Sequence, residues 1–153
     1  FSGSVSWART VTWESSVTRR RGRTQSCGPA EARTRAGSAV KFLEVALLIE
    51  SEEEGTFRSV AASLAVLAGI AATDAACCSA LGRRSRGSDH HDAEALVAEI
   101  VPDGVQAANW LRRLIDLKDT AQYGIIYVSR DDLKVAMRQA EKLVEFADEV
   151  IRR

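Results

Sequence analysis

Arginines and histidines occur together in one short segment, at a spacing that suits chemistry on a phosphate ester. Two adjacent histidines, His90 and His91, are the only histidines among the 153 residues. Three arginines lie just before them: Arg83, Arg84 and Arg86. The forked guanidinium group matches phosphate oxygens, and an imidazole exchanges a proton near neutral pH. The segment is therefore the candidate site, and the alternative is a solvated basic turn without chemistry.

A helix is predicted to begin at or between the two histidines, with Asp89 as its cap. Exposed amide groups at a helix N-terminus favour a bound anion and the neutral form of a nearby imidazole. One histidine can then act as general base on a ribose 2'-hydroxyl, while an arginine stabilises the charge on the phosphorus. We assign Arg83 and Asp89 to phosphate binding, and we expect no metal and no other cofactor.

Helix geometry restricts which histidine can act. Consecutive helical residues diverge by about 100°, so only one of the two imidazoles can point into a cleft shared with an arginine. We favour His90 with Arg84 as the catalytic pair. His91 with Arg86 is a close alternative, and the sequence does not decide between them.

Hydrophobic residues recur at helical spacing along most of the chain. The spacing predicts a helix from about residue 38 to 50, a long Ala-rich helix over 56–81, and a third helix from residue 89 that is broken at 102–104 and resumes to Tyr123. Ser129 is the predicted cap of the last helix, residues 82–88 form a loop, and 125–128 form an extended connector lying on the bundle. The predicted fold is all-α, a four- to five-helix up-and-down bundle.

Residues 1–35 differ in composition from the rest. They are rich in Ser, Thr, Arg and Gly, with seven arginines against two glutamates, and they show no sustained apolar period. We interpret them as a disordered basic tail that includes Trp7 and Trp13, followed by one domain over 36–153. Deletion of the tail is expected to leave the fold intact.

Asp74 occupies a position in the long helix where the apolar stripe predicts a hydrophobic residue. The favoured interpretation is that Asp74 lies at the edge of the apolar stripe and faces solvent. The alternative is a buried carboxylate paired with a basic or hydroxyl group, because an isolated buried charge is too costly. Asp74 and Tyr123 are both taken as supporting residues of the candidate site.

Three cysteines, Cys27, Cys77 and Cys78, form an odd set without a Cys-x-x-Cys spacing. Adjacent helical cysteines cannot comfortably bridge each other, so we expect reduced thiols packed in the core. No apolar run reaches the roughly 20 uninterrupted residues that cross a bilayer. These features predict a soluble, cytoplasmic protein without membrane contact.

The order of these segments resembles the HEPN family over residues 36–153. A short first helix and a long Ala-rich second helix precede the Arg-to-His segment, and later segments complete the order: Ala121-Gln122-Tyr123-Gly124, Asp132-Leu133 and Ala140-Glu141-Lys142-Leu143. The family's arginine and histidine, separated by four to six residues, can be matched by Arg84 with His90, Arg86 with His91, or Arg84 with His91. The sequence departs from the family at Ser85 or Gly87, where Asn often follows the arginine, and at Asp92 or Ala93, where one branch carries Tyr.

The resemblance implies a metal-independent RNA endonuclease or an RNA-binding protein. It also implies a homodimer whose cleft is completed by the second protomer, and a minimal nucleotidyltransferase as antitoxin partner. The departures from the family pattern favour the other hypothesis, a non-catalytic helical module that binds a nucleotide or partners a nucleotidyltransferase.

Overall fold

Five helices and a two-stranded sheet account for most of the chain that the computed structural model describes, which is residues 23–87 and 90–153. The elements in chain order are β1 (Thr24–Ser26), α1 (Pro29–Ile49), α2 (Gly55–Leu81), β2 (Arg83–Ser85), α3 (His91–Val97), α4 (Gly104–Tyr123) and α5 (Arg130–Arg152). The predicted all-helical class is confirmed, because the sheet consists of only two strands of three residues each.

The four long helices run up and down, so the bundle has two distinct ends. One end is here called the ribbon end, and it contains β1, β2, α3, the start of α1 and the last turn of α2. A disulfide joins the segment just before α1 to the last turn of α2. Arg153 Nη1 donates to the carbonyl of Val101 there, at 3.3 Å. At the other end, the connector end, the segment between α4 and α5 is held on α2, because Arg58 Nε donates to the carbonyl of Val128 at 3.1 Å.

Helix α2 lies at the centre and packs against α1, α4 and α5. Its buried face is lined by small residues: Ala61, Ala62, Ala65, Ala68, Gly69, Ala71, Ala72, Ala75 and Ala76. Larger residues of α2 lie at the edge of this face, since Val60 and Leu67 are exposed and Leu64 is only half-buried. Small side chains let three helices approach α2 closely, so the alanines, rather than the leucines, define the packed face.

Helix α2 is also long and apolar enough to cross a membrane by length and composition, although Ser, Thr and Asp residues interrupt it. In the most apolar 18-residue stretch of this helix, 67% is buried inside the bundle. This burial is typical of the core helix of a soluble protein, in which the apolar surface is covered by neighbouring helices.

The boundary predicted between a disordered tail and the domain is wrong for residues 23–35. Helix α1 begins at Pro29, nine residues before the predicted start, and the amide of Gly28 donates to Glu31 Oε2 at 3.1 Å. Ala32 is buried in the core. Proline is favoured in the first helical turn, where its missing amide hydrogen is not needed. Deleting residues 1–35 would therefore remove packed structure, whereas residues 1–22, with Trp7 and Trp13, lie outside the described chain.

Residues 83–85, which were predicted as part of a loop, form strand β2 antiparallel to β1. Thr24 pairs with Ser85, Gln25 with Arg84 and Ser26 with Arg83. Each strand consists of three polar residues, so no apolar alternation indicates a strand. The two strands are also far apart in the chain, so no local pattern predicts that they pair.

The prediction of reduced cysteines is wrong for two of the three. Cys27 and Cys78 form a disulfide across 51 residues, with their Cα atoms 5.2 Å apart. The bridge fastens β1 to the last turn of α2. Cys77 is a buried free thiol, as expected for a small core residue, and burial raises its pKa to about 12, with the nearby Asp74 carboxylate adding to the shift. At neutral pH this thiol is protonated and unreactive.

The second half of the chain follows the sequence pattern more closely. Ser129 Oγ accepts from the amide of Asp132 at 3.1 Å, which confirms the predicted cap of α5, and α4 ends at Tyr123 as predicted. The α5 seam is buried: Leu133, Ala136, Met137, Ala140, Leu143, Ala147 and Val150. The connector does not lie flat on the bundle, because Val128 is buried while Ile125 is fully exposed.

Replacing Gly69 with Ala should destabilise the protein by about 1 to 3 kcal/mol, because a new Cβ would lie 2.3 Å from Leu114 Cδ1 in a fully packed core. Gly37→Ala is the matched control in a helix: its Cβ meets no atom within 4 Å, so stability should rise by up to about 1 kcal/mol. Urea unfolding of both variants tests the pair. Equal effects of the two substitutions would contradict the close approach of α2 and α4.

Removing the disulfide with Cys27→Ser/Cys78→Ala should lower the free energy of unfolding by about 4 kcal/mol, the chain-entropy expectation for a loop of this length. Dithiothreitol should lower the stability of the wild type and leave the double variant unchanged. Thermal unfolding with alkylation and mass spectrometry checks both statements. A wild type that keeps its midpoint after the bridge has been shown to be reduced would contradict the stabilising role.

Candidate functional site

A buried ion pair between α1 and α2 lies at the ribbon end. Arg35 Nη2 donates to Asp74 Oδ2 at 3.0 Å, and Asp74 is only 7% exposed. The favoured prediction, a solvent-facing carboxylate, is therefore wrong, and the alternative of a paired carboxylate is confirmed. Burial raises the pKa of Asp74 above its ordinary 3.8, and the charge and hydrogen bond of Arg35 offset part of that rise.

Two of the predicted catalytic residues lie close to the same carboxylate. The positive charges of Arg84 and of protonated His90 both act to lower the pKa of Asp74. Arg84 projects from β2, where its Nη2 donates to Oε1 of the cross-strand residue Gln25 at 3.3 Å. Asp74, Arg35, Arg84 and His90 are named the Asp74 cluster below. Arg84 and His90, the favoured pair, are thus both within electrostatic reach of Asp74.

The other histidine enters a separate network. His91 Nδ1 is hydrogen-bonded to Glu94 Oε2, three residues further along α3. Arg112 Nε of α4 donates to Glu94 Oε1 at 3.0 Å. Because Glu94 is only 8% exposed, the guanidinium of Arg112 helps to balance its buried charge, and His91 occupies its second carboxylate oxygen. This network fastens α3 to α4, and it engages His91 with Glu94.

The remaining predicted site residues lie in different surroundings. Arg83 Nη2 forms an ion pair with Glu99 Oε1 at 3.0 Å, and Asp89 lies outside the described residues. The Arg86 amide donates to the carbonyl of Arg23, while its side chain is exposed. Tyr123 ends α4 at the connector end, roughly 30 Å from the start of that helix at the ribbon end, so the structure does not bring it to the cluster.

Arg35 and Glu94 are members of these networks that the sequence patterns did not single out. Arg35 was included in the disordered tail, although Asp74 at an apolar position already required a cationic or hydroxyl partner. The two residues are 39 positions apart, so no helical spacing identifies Arg35 as that partner. Glu94 does follow His91 by three residues, a spacing at which helical side chains meet, and that signal could have identified it.

Two arginines at the ribbon end, Arg84 and Arg86, form no ion pair with the described residues. Within the described chain, Arg35 and Arg83 have carboxylate partners, whereas Arg84 is bonded only to a neutral amide. Arg86 has no ion pair in that part of the chain. Arginines without carboxylate partners keep their full charge and their forked donors for a ligand such as phosphate.

Comparison with protein-family models finds no match for this chain, and comparison with curated proteins finds none either. The function must consequently be inferred from the geometry of the Asp74 cluster and from the order of sequence motifs that resembles HEPN.

The buried carboxyl of Asp74 should make stability depend on pH. Since the folded protein binds this proton more tightly than the unfolded chain does, the carboxyl lowers the stability as the pH rises from 3.8 to the raised folded-state pKa. Asp74→Asn keeps the shape and cannot ionise. Its stability relative to the wild type should therefore increase with pH across this window and then level off.

Urea unfolding of the wild type and Asp74→Asn between pH 4 and pH 8 measures this difference directly. Asp148→Asn, which replaces an exposed carboxylate on α5, controls for the substitution itself and should change stability by no more than about 0.5 kcal/mol. A difference that decreases with pH for Asp74→Asn would contradict the assignment of burial as the dominant cause.

Proposed function

We propose that the protein is a HEPN-like RNA endonuclease that uses Arg84 and His90 and needs no metal. The observation that supports the proposal is that the charges of Arg84 and His90 both act on the same buried carboxylate, Asp74. An arginine that can hold a phosphate and an imidazole that can move a proton are the two groups that metal-independent cleavage of RNA requires.

The chemistry assigned to this pair is an internal transfer at phosphorus. The neutral imidazole of His90 takes the proton of a ribose 2'-hydroxyl, and the 2'-oxygen attacks the adjacent phosphorus. The bond from phosphorus to the 5'-oxygen of the next nucleotide breaks, and that oxygen takes up a proton. The products are a 2',3'-cyclic phosphate and a free 5'-hydroxyl. Arg84 stabilises the charge that develops on the phosphoryl oxygens, and exposed Arg86 holds a neighbouring phosphate.

Asp74 and Arg35 support this pair without contacting RNA. Arg35 reaches one carboxylate oxygen of Asp74, and its Nε makes no hydrogen bond within the described chain. The negative charge of Asp74 favours the protonated imidazole that forms on His90 during proton transfer. Arg35 prevents the buried carboxylate from standing as an unpaired charge.

The resemblance to HEPN extends the proposal to an assembly. A second copy would place its own Arg84 and His90 across a shared cleft, and a minimal nucleotidyltransferase would act as antitoxin. The sequence alone favours the cytoplasm. Disulfides, however, form and persist mainly in oxidising compartments, so the Cys27–Cys78 bridge favours such a compartment for the active protein.

A non-catalytic binding module is the second candidate function, and the ion pairs favour it. Arg35, Arg83 and Arg112 have carboxylate partners, and His91 is bonded to Glu94. A site in which most cations are balanced binds a single phosphate or nucleotide rather than a long RNA strand. In that case Arg84 and Arg86 bind the ligand, and no bond is broken.

His90→Ala and Arg84→Ala should each lower the rate of RNA cleavage by about 10² to 10⁴. His91→Ala and Arg113→Ala are the matched controls, since His91 belongs to the Glu94 network and Arg113 is exposed on α4. Cleavage of a mixed RNA substrate in excess chelator, with growth arrest on induction, measures the effect after all variants are shown to be equally stable.

Three outcomes bear on the two candidates. Loss of cleavage in the Arg84 and His90 variants alone supports the endonuclease. A wild type that binds RNA or a nucleotide through Arg84 but cuts nothing supports the binding module. Equal activity of wild type, His90→Ala and His91→Ala would exclude the proposed role of His90.

A further inference from the structure

Large apolar side chains are exposed together at the connector end. They come from the last turn of α1, the first turn of α2, the last turn of α4 and the connector: Leu48, Phe57, Tyr123, Ile125, Ile126 and Tyr127. Ile125 is fully exposed, and Leu48, Tyr123 and Ile126 are each about three quarters exposed. These six residues are named the apolar cap. Exposed hydrophobic residues that form a contiguous patch mark interaction sites, whereas single ones belong to ordinary surface.

The connector is fixed to the helices below it, so its exposed residues are presented by a packed support. The Tyr127 ring lies so close to the backbone of Gly55 that a Cβ there would be 2.3 Å from Cδ2 of the ring. The amide of Val128 donates to Ser59 Oγ at 3.2 Å, and the Val128 side chain is 1% exposed. A partner would therefore bind a surface that is already formed, which lowers the entropic cost of association.

Acidic residues surround the apolar cap. The loop between α1 and α2 carries Glu50, Glu52, Glu53 and Glu54, and the first turn of α5 carries Asp131 and Asp132. Only two basic residues lie in these same turns. One is Arg58, whose guanidinium is engaged by the carbonyls of Glu53 and Val128, and the other is Arg130. The rim is therefore strongly negative.

We propose that the apolar cap is a docking site for a basic amphipathic segment of a partner protein. Apolar side chains of such a segment would cover Ile125, Ile126 and Tyr127, and its lysines or arginines would meet the acidic rim. A second copy docked cap to cap would bring two negative rims together. An anionic lipid surface would also be repelled by the rim.

The docking site is separate from the proposed nuclease site. The Asp74 cluster lies at the ribbon end, and α4 alone separates the two ends by roughly 30 Å. Binding at the cap would therefore leave Arg84 and His90 open, so the partner could be held while RNA is bound. Failure of the nuclease proposal does not affect this site.

The test uses the full chain and a defined probe, an 18-residue amphipathic helix of leucine and lysine with a fluorescent label. Fluorescence anisotropy should show binding to the wild type that weakens as salt is added. Ile125→Ser/Ile126→Ser should weaken it by roughly tenfold or more, since exposed anchor residues dominate small interfaces. The rim variant Glu52→Gln/Glu53→Gln/Glu54→Gln should weaken it severalfold.

Matched controls separate the cap from the general charge and apolarity of the protein. Val101→Ser/Val105→Ser removes exposed apolar residues at the ribbon end, and Glu141→Gln/Glu145→Gln/Glu149→Gln removes three exposed acidic residues of α5. Both should bind the probe as the wild type does. Circular dichroism and unfolding midpoints confirm that all variants are folded, which is expected because the substituted side chains are exposed.

Four results would overturn the proposal. The control variants could lose as much affinity as the cap variants, or a leucine and glutamate peptide could bind as well as the lysine peptide. Sedimentation could show self-association that Ile125→Ser/Ile126→Ser abolishes, which would make a second copy the occupant. Finally, vesicles containing phosphatidylserine could bind the wild type through the cap, which would make a membrane the occupant.

Discussion

The burial of α2 constrains the rest of the molecule. Alanines and Gly69 line its packed face, so α1, α4 and α5 approach its backbone closely and Leu111, Leu114 and Leu143 fill the spaces between them. A carboxylate on such a packed face is largely shielded from water, and Asp74 therefore needs a cation from a neighbouring element. Arg35 of α1 supplies it at 3.0 Å. The packing of the core thus generates the charged cluster from which we infer the function.

The two ends of the bundle differ in chemistry because the connections between the helices contain different types of residue. At the ribbon end, β1, β2 and α3 bring arginines and histidines next to buried carboxylates. At the connector end, a short α1–α2 loop of glutamates lies beside an exposed apolar segment. An up-and-down topology places alternate connections at opposite ends, so two kinds of surface are kept apart by the length of the helices. This separation would allow one end to bind an anion while the other holds a basic partner.

The disulfide restricts the geometry of the proposed site. Cys27 and Cys78 join β1 to the last turn of α2, and β1 in turn pairs with β2, which carries Arg84. Asp74 lies one helical turn before Cys78, and Arg35 lies two turns into α1 after Cys27. The covalent bridge and the ion pair are thus two successive links between α1 and α2. Fixing these helices at two points limits the positions that Arg84 can take relative to Asp74.

Elements whose signals are local could be predicted from the sequence. Apolar residues at spacings of three and four predicted the long helices, Ser129 was identified as a cap, and Tyr123-Gly124 marked the end of α4, because each signal depends on residues within a few positions. The Arg-to-His segment was found in the same way, from residue types that are rare or clustered in this chain. The start of α1 was not predicted, because threonine and arginine residues interrupt its apolar period.

The pairing of distant residues could be seen only in the folded protein. The Arg35–Asp74 ion pair spans 39 positions, the disulfide 51, and the strands β1 and β2 pair across the whole of α1 and α2. No spacing rule connects such residues, since their proximity follows from how three helices pack on α2. The same packing placed His90 near Asp74 and His91 beside Glu94. The sequence predicts that the side chains of adjacent histidines point in different directions, but their surroundings depend on the neighbouring helices and strands.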